Sequence, residues 1–401
     1  MSDTILVLNA GSSSIKFAVF ETSGQGDPRL SCKGLLDEDD ADPQLVVNDS
    51  AGHILFERHR PDVDKVDGGL FSDVINWVEG RGNAIAAIGH RVVHGGRDFT
   101  SPVRITGKII DALAALTPLA PLHQPRCLVP IRRLMSLRPK LPQIACFDTA
   151  FHHGLAPPVS RFALPRHFEE IGIRRYGFHG LSYEYIASRL AGLSPSLAAS
   201  RTVVAHLGNG ASLCAMQNGR SVDTTMGLTA LDGLVMGTRC GAIDPGVLLY
   251  LQQALAMTVS EVERLLYRDS GLLGVSGISH DVRTLLASDD PHAAEALDLF
   301  AFRIAREVSA MANSLGGLQC LVFTGGIGEH AAAVRSAACA RLRWLGVELD
   351  SEANDLSRPQ ISARESRVDV RVIPTDEEIM IVRHCLSLLR QEIVRTENES
   401  P

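Results

Sequence analysis

The stretch Asn9–Phe17, "NAGSSSIKF", follows directly on the apolar run Ile5–Leu8 and gathers an amide, hydroxyls, a glycine and a cation at one strand end. A tight hairpin needs only two turn residues. This one carries Ser12, Ser13 and Ser14, backbone N–H groups that a glycine leaves approachable, and Lys16 to supply charge. That inventory suits an anion, phosphate above all; the plainer reading is a Ser-rich hairpin. His206–Ser212, "HLGNGAS", ends a second apolar run with two glycines, an amide and a hydroxyl. Paired, the two turns can face each other across a cleft and cradle one polyphosphate. No Walker A pattern occurs, so a nucleotide must be held another way.

"FTGGIGEH", Phe323–His330, follows an apolar run and opens a helix. Gly326-x-Gly328-x-x-Ala331, with Glu348 about twenty residues on, matches the dinucleotide fingerprint and keeps an NAD-dependent oxidoreductase open as a rival. Too little chain follows for the remaining βα units of such a domain. An adenine-nucleotide site built on glycine clearance and a helix N-terminus is favoured instead.

Arg91 in "GHRVVHGG" and Arg239 in "MGTRCGAIDPG" sit among apolar and glycine residues, read here as loops. Each alone suits a salt bridge, but two such guanidinium groups suit a planar anion or a phosphoryl group gripped bidentately. His90 and His94 have i, i+4 spacing without a third ligand of matching pattern, which leaves zinc unsupported. His179 stands between Phe178 and Gly180 ahead of a helix, as a packed histidine or one that reaches a ligand. Asp148 ends the run Ile144–Phe147, where carboxylates meet ligands or metals. Glu377 and Glu378 are hard oxygen donors fit for Mg2+, or the acidic first turn of a C-terminal helix capped by Thr375.

These residues must be positioned by a soluble α/β scaffold. The chain has 401 residues, 45% hydrophobic and 21% charged, which calls for two domains. A net charge of −7 argues against nucleic acid as the main partner. The eight cysteines are scattered without a C-x-x-C pair and read as reduced hydrophobes. The chain enters a strand without a basic and apolar leader, and no apolar run could span a membrane, so a cytoplasmic location is expected. Short runs at Thr4–Leu8, Ile15–Phe20 and Leu30–Leu35 form a meander, followed by an acidic loop over Asp37–Pro43. The same strand–turn–strand–turn–strand order returns at Thr202–Leu207, Ala211–Gln217 and Arg220–Thr225. Helical spacing marks Phe71–Val78, Thr106–Leu116, Val247–Met257, Ser260–Tyr267, Ala293–Leu315 and Ala331–Leu345. The prolines of "TPLAPLHQP" exclude a regular helix there. Cys320–Thr324 is another buried strand. Two related α/β domains follow from this alternation.

Together, "NAGSSSIKF", "GHRVVHGG", "PLAPLH", "FDTAFH", "YGFHG", "HLGNGAS", "MGLTALDGLVMGTRCGAIDPG", "FTGGIGE" and "PTDEE" resemble the acetate kinase family, in family order across essentially the whole chain. The resemblance implies two ribonuclease-H-like domains (a duplicated βββαβαβα core) with a nucleotide cleft between them, shared with actin, sugar kinases and the large heat-shock chaperones. The first domain is expected at 1–149 plus a helix over about 378–395, the second at 150–377. It implies reversible, ATP-dependent phosphorylation of acetate with Mg2+ (Mn2+ able to stand in), in a homodimer. By motif, Asn9 and Glu377 would hold the metal, and Lys16, Ser12 and Ser14 the nucleotide phosphates. His206, Leu207, Gly208, Asn209, Gly210, Asp281, Val282, Arg283, Gly326, Ile327, Gly328, Glu329 and His330 would line the ATP site. Arg91 would bind the acetate carboxylate, with Val93, Leu122 and Phe178 around its methyl group. Asp148 would be the catalytic acidic residue, and His179 and Arg239 would stabilise the transition state. His330 stands where the family usually has Asn, and Ala230 where Pro is usual. A non-catalytic nucleotide-binding module of the actin–chaperone type, which would bind ATP without making acyl phosphate, stays open, and a kinase for propionate or butyrate would share nearly every motif.

Overall fold

The computed structural model describes residues 3–10, 15–22, 27–37, 44–59, 69–82 and 84–398. The chain divides into two units, Met1–Ala150 with Asp376–Pro401, and Phe151–Thr375. Ala150, Asp376 and Glu377, which the sequence borders gave to the second domain, thus lie in the first unit. Ser12, Ser13 and Ser14, and most of the Asp37–Pro43 loop, lie outside the described residues.

The first unit is built on β1 (Asp3–Ala10), β2 (Ile15–Thr22), β3 (Arg29–Asp37), β4 (Gln44–Asp49), β5 (Ile54–His59), β6 (Ala84–Val92), β7 (Val103–Arg104) and β8 (Gln143–Phe147). They form one sheet in the order β5-β4-β3-β2-β1-β6-β8-β7. β1 to β5 run antiparallel in sequence, whereas β1, β6 and β8 are mutually parallel neighbours. Ile5, Leu6, Val7 and Leu8 are all buried, because helices cover both faces of the sheet. Phe71, Val74, Ile75 and Val78 of helix Gly69–Gly80 pack with Leu6 and Leu8 on one side. The C-terminal helix Glu377–Asn398 covers the other side. It comes so near that a Cβ at Gly89 would lie 2.4 Å from Ile381 Cγ2. That glycine lets the helix approach and sets Glu377 at its first turn.

Three readings need correction here. Arg91 lies within β6 rather than in a loop. The proline-rich stretch holds a 3-10 turn, Thr117–Leu119, and then runs into helix Gln124–Leu137. Pro125 is accepted there because the first helical N–H needs no partner. Finally, the C-terminal helix is capped by Asp376, whose Oδ1 accepts from Ile379 N at 2.9 Å, and not by Thr375.

The second unit has β9 (Thr202–Leu207), β10 (Ala211–Gln217), β11 (Arg220–Thr224), β12 (Cys320–Thr324) and β13 (Asp369–Val372), in the order β11-β10-β9-β12-β13. β9 to β11 are antiparallel, and β12 is parallel to both β9 and β13. This repeats the order and sense of β3-β2-β1-β6-β8, so the duplication is visible in topology. The long helix Pro291–Leu315 starts at an Asp290 cap and stops at Gly316, φ 67°. The predicted helix 331–345 is two pieces, Ala332–Ala340 and the 3-10 turn Arg343–Leu345.

Candidate functional sites

In the first unit three adjacent parallel strands end in polar residues: Asn9 at the end of β1, Arg91 near the end of β6, and Asp148 just beyond β8. The carboxyl ends of parallel strands are where α/β sheets bind ligands. The three side chains touch. Arg91 donates through Nε to Asp148 Oδ1 at 3.0 Å and through Nη2 to Oδ2 at 2.5 Å, a bidentate grip. Its Nη1 donates to Asn9 Oδ1 at 3.3 Å, and Glu377 Oε2 lies 3.8 Å from Nε. Asp148 is 1% exposed. Burial opposes the Arg91 charge, but Asp148 and Glu377 more than offset it and push its pKa up. The Glu377 pKa is raised too, which for a carboxyl disfavours the charge. Burial raises its carboxyl to about 7, Asp148 adding to the rise and Arg91 opposing it.

Lys16 is the cross-strand partner of Asn9 and is exposed. Val93 is buried and Leu122 half-buried in the loops after β6 and before helix Gln124–Leu137. His90 and His94 serve the scaffold. The His90 Nε2 bonds Gln143 Oε1 at 2.8 Å, and burial pushes its pKa down to about 4. Gly96 N donates to the His94 Nδ1 at 2.9 Å. Buried Gln124, absent from the sequence reading, pins this loop through bonds to His94 and to Leu113 O.

In the second unit His206, near the end of β9, is followed by a turn closed by Gly208 N donating to Gly210 O at 3.1 Å. His179 precedes helix Gly180–Leu193 in the left-handed conformation, φ 57° and ψ 26°, a backbone state that costs on the order of 1–3 kcal/mol and clusters at ligand sites. A Cβ at Gly210 would fall 2.9 Å from Arg239 Nη2 and 3.3 Å from His179 Nε2. Glycine there is what lets both cross the same patch of backbone. Arg239 Nη1 donates to Ala230 O at 2.7 Å. Asn209 is exposed, and its carbonyl accepts from Gly237 N at 3.2 Å. Phe178 and Leu207 are buried.

The glycine-rich helix is short, Gly325–His330. Gly325 has φ 76°, and its missing Cβ would meet Leu207 O at 2.8 Å. Glu329 turns back on the protein: its Oε1 accepts from Gly325 N at 2.9 Å and from Thr375 N at 3.2 Å. Gly326 and His330 are exposed, Ile327 half-buried and Gly328 buried. Asp281 caps helix Val282–Leu286 and pairs with exposed Arg283 at 2.6 Å, while Val282 is buried beneath them. Only β13 follows β12 in this sheet, so the further βα units of a dinucleotide domain are absent among the described residues.

Ser212 departs from the phosphate-clamp reading. It is fully buried, with Oγ 2.8 Å from His179 Nδ1 and 2.5 Å from the Tyr183 hydroxyl. Another residue escaped sequence reading altogether. Arg335 is 0% exposed and donates to the carbonyls of Gly328 and Glu329, each at 2.9 Å, and to Asn354 Oδ1 at 2.8 Å.

Two units of one strand order, each with its polar groups at the carboxyl ends of its strands, define a duplicated ribonuclease-H-like α/β protein. The sequence model of the Acetokinase family matches residues 4–383, and the chain belongs to that family. An acetate kinase of Rhodopseudomonas palustris is 55% identical over 391 residues, 96% of this chain and 98% of that protein. Among solved structures, acetate kinase of Porphyromonas gingivalis shares 34% identity at a TM-score of 0.84, over 97% of this chain and all of that one (100%). A propionate kinase from Francisella tularensis shares 36% at a TM-score of 0.88, over 95% of this chain and 98% of that chain.

Proposed function

We propose that this chain catalyses ATP + acetate ⇌ ADP + acetyl phosphate by direct transfer of the γ-phosphoryl group. The observation that carries the reading is the Asn9–Arg91–Asp148–Glu377 cluster at the strand ends, in a chain of this family. Acetate is already ionised at neutral pH, since carboxyl pKa values lie near ~4, so its oxygen can attack without a general base. Asp148 fits that chemistry as the group that orients Arg91. A guanidinium has more N–H donors than Asp148 and Asn9 take up, and the remainder can grip a substrate carboxylate. His179 and Arg239 are assigned to the charge developing on the transferring phosphoryl group. Lys16 and the glycine-rich turns are assigned to the nucleotide.

Mg2+ fits the donors of the first unit. Asn9, Glu377 and Asp148 offer hard oxygens, and burial, with Asp148 nearby, raises the Glu377 carboxyl to about 7. Among the described residues no three His, Cys, Asp or Glu side chains form a closed metal cage. Mg2+ commonly uses one or two carboxylates together with substrate phosphates. Bound there, it would neutralise phosphate charge. The sign of the linkage is testable. The folded chain holds the Glu377 proton more tightly than the unfolded chain, so its cost to stability grows as pH rises through about 7. A cation favours the carboxylate, so Mg2+ should raise Tm more at about pH 8 than at about pH 6. Glu377→Gln should abolish the difference; equal shifts in the native chain would refute the assignment.

Trapping acyl phosphate with hydroxylamine, with ATP and each of acetate, propionate and butyrate, tests the reaction. Acetate hydroxamate should dominate. Release of phosphate without hydroxamate, or none at all, would refute the reading. Propionate remains a specific second substrate because Ala230 replaces the usual Pro. One methylene is worth ~1–3 kcal/mol in an apolar pocket. Ala230→Pro keeps the carbonyl that holds Arg239 and should raise the acetate-to-propionate ratio of kcat/KM, by up to ~10-fold. An unchanged ratio would remove Ala230 from the pocket.

We also assign a cytoplasmic homodimer. Among the described residues no helix is long and apolar enough to cross a membrane. Leu249, Tyr250, Leu255 and Val259 are more than half exposed at 54, 61, 56 and 71%, an apolar surface available for pairing. Sedimentation should give twice the chain mass, and Tyr250→Glu should lower it.

A further inference from the structure

Two imidazoles lie face to face in the second unit. The rings of His179 and His206 are 4.3 Å apart between centroids, at an interplanar angle of 19°. At that distance two imidazolium charges would raise each other's cost, which favours neutral rings. Each ring turns its Nδ1 to a serine hydroxyl at 2.8 Å, His179 to Ser212 and His206 to Ser182. Behind each serine stands another hydroxyl. The Tyr183 oxygen is 2.5 Å from Ser212 Oγ, and Thr375 Oγ1 donates to Ser182 Oγ over 2.8 Å.

Proton accounting then fixes the tautomers. Tyr183 is fully buried, and burial pushes its phenol well above the ordinary value, so it keeps its proton. A serine hydroxyl has one proton to give. With Tyr183 donating into Ser212 Oγ, Ser212 donates onward into His179 Nδ1, and the ring proton resides on Nε2. An imidazolium would instead drive a second donor at the same Ser212 oxygen and leave the serine proton to find another acceptor. Thr375, Ser182 and His206 repeat the arrangement.

We propose that Tyr183 and Ser212 are positioning residues which hold His179 as a neutral Nε2–H donor. This rests on the phosphoryl-transfer reading above. The Nε2 edge lies by Gly210, which Arg239 also approaches. An N–H there joins the guanidinium as a second donor for a phosphoryl oxygen, whereas the other tautomer would present a lone pair and repel it. Ser212 is therefore a relay behind the histidine, and its hydroxyl faces His179 and Tyr183 instead of a phosphate.

The test is 15N NMR of the full chain labelled at histidine, the His179 signals being assigned by their loss in His179→Asn. The native chain should show a pyridine-type Nδ1 and a pyrrole-type Nε2 for His179 at neutral pH. Ser212→Ala should mix the tautomers and lower kcat for acetyl phosphate by about tenfold or more, with KM for ATP changed less than about threefold. Ser212→Thr, which keeps the hydroxyl, should restore both. Tyr183→Phe, which removes only the first donor, should shift the same signals in the same direction. A protonated Nδ1 in the native chain, or an unchanged pattern in both Ser212→Ala and Tyr183→Phe, overturns the relay. The spectra need no turnover, so a chain inactive on acetate would overturn the functional reading and leave the tautomer to judge the relay by itself.

Discussion

Arg91→Ala is expected to lower kcat for acetyl phosphate at least ~10²-fold, the scale of a lost positioned charge. It should also destabilise the chain. Asp148 is 1% exposed, and removing its bidentate partner leaves a buried carboxylate uncompensated, at about 3–5 kcal/mol. Arg91→Lys should recover part of the stability but little rate, since an ammonium cannot reproduce the two parallel bonds. Asp148→Asn separates orientation from proton transfer. Its kcat should fall without loss of an ionisation from the pH–rate profile, because acetate brings its own negative charge. A profile that loses one would make Asp148 a base. Arg239→Ala should cost a comparable factor in kcat, and near-native turnover in either arginine variant would dismiss its assigned role.

The second large effect is expected at Arg335. Its guanidinium is fully enclosed and also donates to Asn354 O at 2.6 Å and Ser357 Oγ at 3.0 Å. It ties the end of the glycine-rich helix to the helix Ser351–Asp355. Arg335→Met removes every one of those donors and leaves buried carbonyls unpaired, each at about 1–3 kcal/mol. A loss of several kcal/mol is expected, read as a fall in the denaturant midpoint with the slope m unchanged. KM for ATP should rise in whatever fraction stays folded, because Gly328 and Glu329 lose their support. A midpoint within error of the native chain would show that the neighbouring helices hold each other without it.

Much of this site could be read from residues alone. Asn9 and Asp148 are polar residues at the ends of uniformly apolar runs, and such runs are strands buried on both faces. Glu377 was legible as an acid at a helix start. The strand character of Arg91 was not, because "AIAAIGHRV" is rich in small residues and contains Gly89. The structure explains that glycine by Ile381 and Cys385 of the C-terminal helix packed on it, far further along the chain. β4 and β5 went unread as well: β5 is mostly exposed although it opens on Ile54, Leu55 and Phe56, and β4 is short, with only Leu45 and Val47 buried. Pro125 and Pro130 masked the helix Gln124–Leu137, although Pro125 stands where a helix accepts proline. Arg335 in "AAVRSAA" looks like a solvated helix face, and only its carbonyl partners reveal otherwise. Ser212 shows the same limit: a sequence supplies a hydroxyl without saying whether it faces a phosphate or an imidazole.

Direct transfer, with neither a general base nor a phosphorylated side chain, is the centre of this account. The stereochemical course at phosphorus tests it most directly, using ATP made chiral at the γ-phosphorus with oxygen isotopes. One in-line displacement inverts that centre, so acetyl phosphate formed by the native chain should show inversion. Retention would mean two displacements through a phosphoenzyme and would contradict the account.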